Sequence, residues 1–179
     1  MRNLTVLFFL MLFSITNYAQ SSGFYDFKVK TLEGDDFDFN SLKGKKVMIV
    51  NTASKCGFTP QYKELEEVYE TYQEDLVIIG FPANNFMNQE PGSATGIRKF
   101  CSEKYGVTFP MMEKISVKGD DMHPLYIWLT SKEKNGVMNS KVKWNFQKYL
   151  IDENGTLVDV MYSVEKPSSD KVIGWISSK

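Results

Sequence analysis

An α/β fold is predicted by three features of the 179-residue chain. Two runs, Val47-Met48-Ile49-Val50 and Leu76-Val77-Ile78-Ile79-Gly80-Phe81, are wholly apolar, as strands buried on both faces must be. Between them Tyr62, Leu65, Val68, Tyr69 and Tyr72 recur at helical spacing. A strand, a crossover helix and a second strand form a βαβ unit whose strands lie parallel. Third, 42% hydrophobic and 14% aromatic residues supply a full core, and no repeat, low-complexity tract or linker divides the chain. One domain is expected.

The elements follow in order. Phe24-Tyr25-Asp26-Phe27-Lys28-Val29 alternates, turns at Glu33-Gly34-Asp35 and returns through Phe37-Asp38-Phe39, which predicts a short β-hairpin. Val47 to Val50 should be a central strand. Thr59 as N-cap and Pro60 as first helical residue open the helix that carries Tyr62 to Tyr72. Pro82 ends the next strand, and the polar loop from Asn84 to Gly92 sits at its carboxyl end, where α/β sheets place their sites. A weaker helix spans Ser93 to Tyr105; Gly96 reduces its intrinsic helicity by about 1 kcal/mol relative to alanine, so it should open easily. Pro124 starts a helix through Leu129, and Lys132 to Gly136 reads as a solvated break. Trp144 to Ile151 and Thr156 to Tyr162 flank Asp152-Glu153-Asn154-Gly155, a hairpin signal. Ser168 to Ser178 closes the chain with a short helix.

Charge and composition narrow the function classes. Lys and Arg number 21 against 22 Asp and Glu, which argues against nucleic acid or an anionic membrane as partner. The single histidine, His123, excludes a multi-histidine metal site, and two cysteines are too few for a four-thiolate zinc site. No metal or organic cofactor is expected. At the N-terminus Arg2 precedes the apolar run Leu4 to Phe13, and Asn17-Tyr18-Ala19 offers a small residue before Gln20; residues 1–19 read as a cleaved signal peptide, leaving a mature domain of 20–179. The run is shorter than the roughly 20 residues a membrane-spanning helix needs, so no stable membrane anchor is expected. The protein should be exported, to the periplasm or beyond. There Cys56 and Cys101 meet an oxidising compartment in which disulfides persist.

Cys56 lies between a buried strand and the start of a helix, in Asn51-Thr52-Ala53-Ser54-Lys55-Cys56-Gly57-Phe58-Thr59-Pro60. Free backbone N–H groups, the positive end of the helix dipole and the neighbouring Lys55 all favour a thiolate there. Gly57 leaves room for a co-substrate to approach the sulfur. Position alone leaves open a second role, a small inert core residue, since free cysteine is commonly buried.

The motifs carry further. Asn51-Thr52-Ala53-Ser54-Lys55-Cys56-Gly57, then Phe81-Pro82-Ala83-Asn84-Asn85-Phe86-Met87-Asn88-Gln89-Glu90-Pro91-Gly92, then His123-Pro124-Leu125-Tyr126 and Trp144-Asn145-Phe146 occur in one order along the chain. This series resembles the glutathione peroxidase family from about Phe24 to the C-terminus. The resemblance implies a thioredoxin-like fold, a central mixed β-sheet flanked by helices. It also implies a catalytic set of Cys56 as peroxidatic nucleophile with Gln89, Trp144 and Asn145 as polar partners. Their N–H groups would favour the charged sulfur and orient the peroxide. Two positions depart from the family pattern: Ala83 stands for a common cysteine and Asn85 for glutamine.

The chemistry implied is attack of Cys56 on the O–O bond of hydrogen peroxide or an organic hydroperoxide, leaving a sulfenic acid. Cys101, in Ile97-Arg98-Lys99-Phe100-Cys101, occupies the place of the resolving cysteine in two-cysteine members of the family. The alternative for Cys101 is a permanent stapling disulfide, which the oxidising compartment favours. A disulfide-forming enzyme takes a dithiol reductant, so a thioredoxin-like protein is expected and glutathione disfavoured despite the family name. The connection from Thr130 to Lys143 lacks the long insertion of tetrameric, glutathione-using members, which suggests a monomer. A competing function is a redox sensor that relays oxidation to a client by disulfide exchange. A thiol–disulfide oxidoreductase is disfavoured because no CxxC occurs.

Overall fold

The computed structural model describes residues 23–178, so the expected leader at 1–19 lies outside them. The chain runs through β1 (Lys28–Lys30), β2 (Asp36–Asp38), β3 (Lys46–Thr52), α1 (Gln61–Tyr72), β4 (Leu76–Pro82) and α2 (Ala94–Tyr105). It continues through α3 (Pro124–Thr130), α4 (Lys132–Asn135), β5 (Lys148–Ile151), β6 (Leu157–Met161) and α5 (Asp170–Ser177).

The four-stranded sheet has the order β4-β3-β5-β6. β3 pairs parallel with β4 from Lys46↔Leu76 to Thr52↔Pro82, as the βαβ reading requires. β5 pairs antiparallel with β3 and with β6, so the sheet is mixed. Every residue of β3 is buried. Because strand side chains alternate, β3 feeds two cores. Val47 and Ile49 point with Phe39, Phe81, Tyr149, Leu125 and Trp128 to one side, under α3. Met48 and Val50 point with Tyr62, Leu65, Ile97, Val172 and Ile176 to the other, under α1, α2 and α5. Both layers are needed to cover β3 and β5, which are buried on both faces.

Two lysines lie inside this packing. Lys46 Nζ donates to the carbonyl of Ile176 at 3.0 Å and meets Glu153 at 3.3 Å, tying α5 to the sheet. Lys148 Nζ donates to Gln61 Oε1 at 2.5 Å and to the Glu165 carbonyl at 2.6 Å; burial lowers its pKa to about 8.

Four expectations are corrected locally. The first hairpin strand is shorter than predicted, because Phe24–Asp26 form a 3₁₀ turn before β1. The solvated break holds one helical turn, α4, whose Asn135 is buried: its amide donates to Trp128 and Met138 carbonyls and accepts from Val137 and Met138. Residues 144–147 are a loop and not the start of a strand, because Phe146 takes a left-handed φ of 64° that no strand tolerates. The first interior helix starts at Gln61, with Pro60 as its N-cap, and Thr59 does different work described below.

Candidate active site

The topology brings three separated motifs to one end of the sheet. β3 and β4 are parallel, so the segments after Thr52 and after Pro82 leave together. β5 is antiparallel to β3, with Val50 opposite Lys148, so the segment before β5 arrives at that same end. All four residues expected to form the catalytic set lie on these three segments.

Hydrogen bonds lace the segments together. Lys55 N–H donates to the Gln89 carbonyl at 3.0 Å, and Ser54 Oγ donates to both carboxylate oxygens of Glu90 at 2.9 and 3.0 Å. Asn51 Nδ2 donates to the Trp144 carbonyl at 3.1 Å, and Phe146 N–H donates to the Asn51 carbonyl at 2.6 Å. Asn145 Nδ2 donates to Gln89 Oε1 at 3.0 Å, joining two expected site residues directly. Trp144 tilts against Phe86, ring centroids 5.3 Å apart. Strain concentrates here: Met87, Asn88 and Phe146 have φ of 51°, 52° and 64°, in a region where non-glycine residues are uncommon.

Cys56 is a free thiol, 8% exposed, and its Sγ accepts from Phe58 N–H at 3.4 Å. The donor therefore comes from the tight turn after the cysteine and not from the first turn of α1, which begins five residues later. Thr59 builds that turn. Its hydroxyl accepts from Cys56 N–H at 3.0 Å and donates to the Ala53 carbonyl at 2.8 Å, so it braces the cysteine loop instead of capping the helix. The sequence could not separate the two roles, since both use a short hydroxyl one residue before proline.

Cys101 is also free and fully buried on α2. Burial pushes its pKa up to about 11. The Tyr62 hydroxyl faces it and Thr52 closely enough to be coupled electrostatically, yet neither Tyr62 OH nor Thr52 Oγ1 has a partner of hydrogen-bond geometry among the described residues. Glu90 is the other group that residue-by-residue reading passed over. It is fully buried, and desolvation raises its pKa against the opposing effect of Ser54, Lys114 and Lys55. The available signal was a charged residue next to Gln89 inside the second motif.

Ser54, Lys55, Glu90, Gly92, Gly96, Ile97 and Phe100 surround a cavity of about 290 Å³ between the cysteine loop and α2. Among the described residues no group of three or more His, Cys, Asp or Glu is arranged to hold a metal ion, and no helix is long and apolar enough to cross a membrane.

Comparison with known proteins bears on the family and the fold. A family profile described as glutathione peroxidase matches residues 24–130. Glutathione peroxidase-like peroxiredoxin 2 of Saccharomyces cerevisiae is 52% identical over 162 residues, covering 89% of this chain and 99% of the yeast protein. A solved structure described as Trgpx in apo form is 44% identical with a TM-score of 0.66, covering 87% of this chain and 96% of that one. A thioredoxin-like protein from Aeropyrum pernix, 18% identical, covers 84% of this chain and 89% of its own at a TM-score of 0.57, which speaks to fold alone.

Proposed function

The chain belongs to the glutathione peroxidase family, with a thioredoxin-like fold and peroxidase activity toward hydroperoxides, and from that membership we propose that Cys56 is its peroxidatic nucleophile. Cys56 Sγ attacks the peroxide: an S–O bond forms, the O–O bond breaks, and the leaving oxygen departs as water or an alcohol. Gln89, Trp144 and Asn145 orient the peroxide and stabilise charge on oxygen as the O–O bond opens. Cys101 then attacks the Cys56 sulfenic acid, an S–S bond forms, and water leaves. A thioredoxin-like dithiol returns both cysteines to thiols, with no metal or organic prosthetic group taking part and glutathione a poorer donor. We place the enzyme outside the cytoplasm, as a monomer released from a leader at 1–19.

The observation that supports the site assignment is the Asn145–Gln89 hydrogen bond next to the Lys55–Gln89 backbone contact, which holds two polar side chains against the Cys56 loop. α2 is intact with Cys101 buried, so the resolving step requires this helix to open.

Peroxide consumption with thioredoxin or with glutathione as reductant tests the scheme in the wild-type, Cys56→Ser and Cys101→Ser proteins. Cys56→Ser should lose activity, and Cys101→Ser should lose multiple turnover with thioredoxin while keeping a single one. Mass spectrometry of the oxidised wild type should find a Cys56–Cys101 bond. Full activity in Cys56→Ser would refute the nucleophile, and undiminished thioredoxin turnover in Cys101→Ser would refute the resolving role. Slow turnover with efficient oxidation of a client thiol would favour the relay function.

A further inference from the structure

We propose that Glu90 is the proton-transfer residue of the resolving step, accepting the Cys101 thiol proton and returning it to the departing hydroxide. This rests on the two-cysteine reading above and adds a residue to it. Cys101 cannot attack as a buried thiol, so some group must take its proton when α2 opens.

Glu90 is the carboxylate placed to do so. On one side both of its oxygens accept from Ser54, two residues before Cys56. On the other it lies under α2. A β-carbon at Gly92 would stand 3.8 Å from Glu90 Oε1 and 3.2 Å from Ile97 Cγ1, so only the space of one glycine separates the carboxylate from the helix. Ile97 and Cys101 are the two buried residues of α2, one turn apart on the same face. The cavity between the cysteine loop and α2 has Glu90 in its wall, together with Ile97 of the same α2 face as Cys101. The Glu90 carboxylate thus lies between the Ser54–Cys56 loop and the Ile97–Cys101 face of α2.

The charges around Glu90 suit a base. Lys55 and Lys114 lower its pKa, and desolvation outweighs them and raises it, bringing the carboxylate nearer to the thiol it must deprotonate. Glu90 couples electrostatically to Cys101 and to Tyr62, and Arg98 on α2 acts on Cys101 in the opposite sense. The step balances. The Cys101 S–H proton moves to a Glu90 oxygen, the sulfur electron pair forms the S–S bond with Cys56 Sγ, and the Cys56 S–O bond breaks. The hydroxide leaves as water with the proton from Glu90. Cys101 sulfur is oxidised and Cys56 sulfur reduced.

Single-turnover oxidation of the reduced full-length protein by one equivalent of hydrogen peroxide separates the steps: a sulfenate-trapping dione reads the first, and quenched mass spectrometry reads the Cys56–Cys101 bond. In Glu90→Gln, disulfide formation at pH 7 should slow about 10- to 100-fold while sulfenate formation changes less. Its rate should then climb steadily with pH, where the wild type rises with carboxyl ionisation and levels off. Ser54→Ala keeps the base but removes hydrogen bonds to its charged form, so the wild-type rise should move to higher pH. An unchanged disulfide rate in Glu90→Gln, or equal slowing of both steps, would overturn the assignment. If Glu90→Gln does not fold, the Ser54→Ala profile decides: a shifted rise supports the base and an unmoved one overturns it. Absence of any Cys56–Cys101 bond in the wild type would instead be a failure of the two-cysteine reading, visible before either variant is made.

Discussion

Asn145 Nδ2 donates to Gln89 Oε1 across 3.0 Å, and this one bond fixes the orientation of the Gln89 amide. With Oε1 occupied, the free end of Gln89 is its Nε2 donor, the polarity a thiolate or a peroxide oxygen requires. Asn145→Asp would set an acceptor against Oε1 and favour a flipped Gln89 that presents the wrong atom. The second-order rate of sulfenate formation, read by stopped flow, should fall about 10- to 100-fold. Gln89→Ala added to Asn145→Asp should cost little more, because the two side chains act as a unit. Additive losses would show that Asn145 works independently of Gln89.

Cys101 links protonation to stability. Burial raises its pKa from 9.0 to about 11, so the folded state holds the thiol proton more tightly than the unfolded chain does. Its contribution is fully present below pH 9 and is lost as pH rises toward 11. Lys148 runs the other way: its folded pKa of about 8 lies below 10.5, so its burial penalty fades across that interval as pH rises. Comparing wild type with Cys101→Ala by urea unfolding cancels the lysine. Between pH 8 and pH 10 the wild type should lose about 1 to 2 kcal/mol more than the variant, at roughly 1.4 kcal/mol per pKa unit. Parallel curves would mean that the thiol is not held protonated.

Phe146 combines a left-handed φ of 64° with a fully buried ring set edge-on to Tyr62, centroids 5.2 Å apart. Removing the ring should cost about 3 to 5 kcal/mol in Phe146→Ala. Phe146→Gly loses the same ring but sheds the backbone strain, so it should be the more stable of the two by about 0.5 to 1 kcal/mol. That reverses the usual order of alanine over glycine. Urea unfolding of both variants checks it, and the ordinary order would mean that the neighbouring backbone relaxes at no cost.

The same Phe146 shows where sequence patterning stops. The apolar runs of β3 and β4, the helical spacing of α1 and the Pro124 start of α3 were all readable because burial on two faces and proline at a helix start leave simple marks. Trp144 to Gln147 carry strand-like residues, yet a single φ decides that they form a loop, and alternation does not encode φ. Gln89 and Asn145 became candidates only through motif resemblance, since a lone amide has no spacing signature. Glu90 and Tyr62 leave no mark in the sequence because the groups they meet lie on distant chain segments. Thr59 binds Ala53 and Cys56 locally, but Glu90 meets Ser54 36 residues away.

The helix that must open is pinned by an ion pair at one end and a carboxylate at the other. Arg98, one turn before Cys101, donates from Nε to Glu33 Oε1 at 2.5 Å and from Nη2 to Oε2 at 3.1 Å, tying α2 to the β1–β2 turn. Past the other end, Thr108 N–H donates to Glu66 Oε2 at 2.8 Å and its hydroxyl bonds Oε1. Glu66 is buried, so removing it would unsettle the α1 packing as well. The Glu33 pair is half-exposed and is the cleaner handle. Such pairs contribute up to about 1 kcal/mol, and if opening precedes disulfide formation, Glu33→Gln should speed that step by as much as about fivefold. Less Cys56 should then reach the sulfinic acid under excess peroxide, because the sulfenate is intercepted sooner. Salt at about 0.5 M should accelerate the wild type toward the variant and leave Glu33→Gln unchanged, since screening weakens only the intact pair. The hydrogen bonds from Arg98 hold Glu33 below the usual carboxylate range, so the pair stays intact at mildly acidic pH and the difference between the two proteins should persist there. Equal disulfide-formation rates in the two proteins at low salt would show that α2 opens without releasing Arg98.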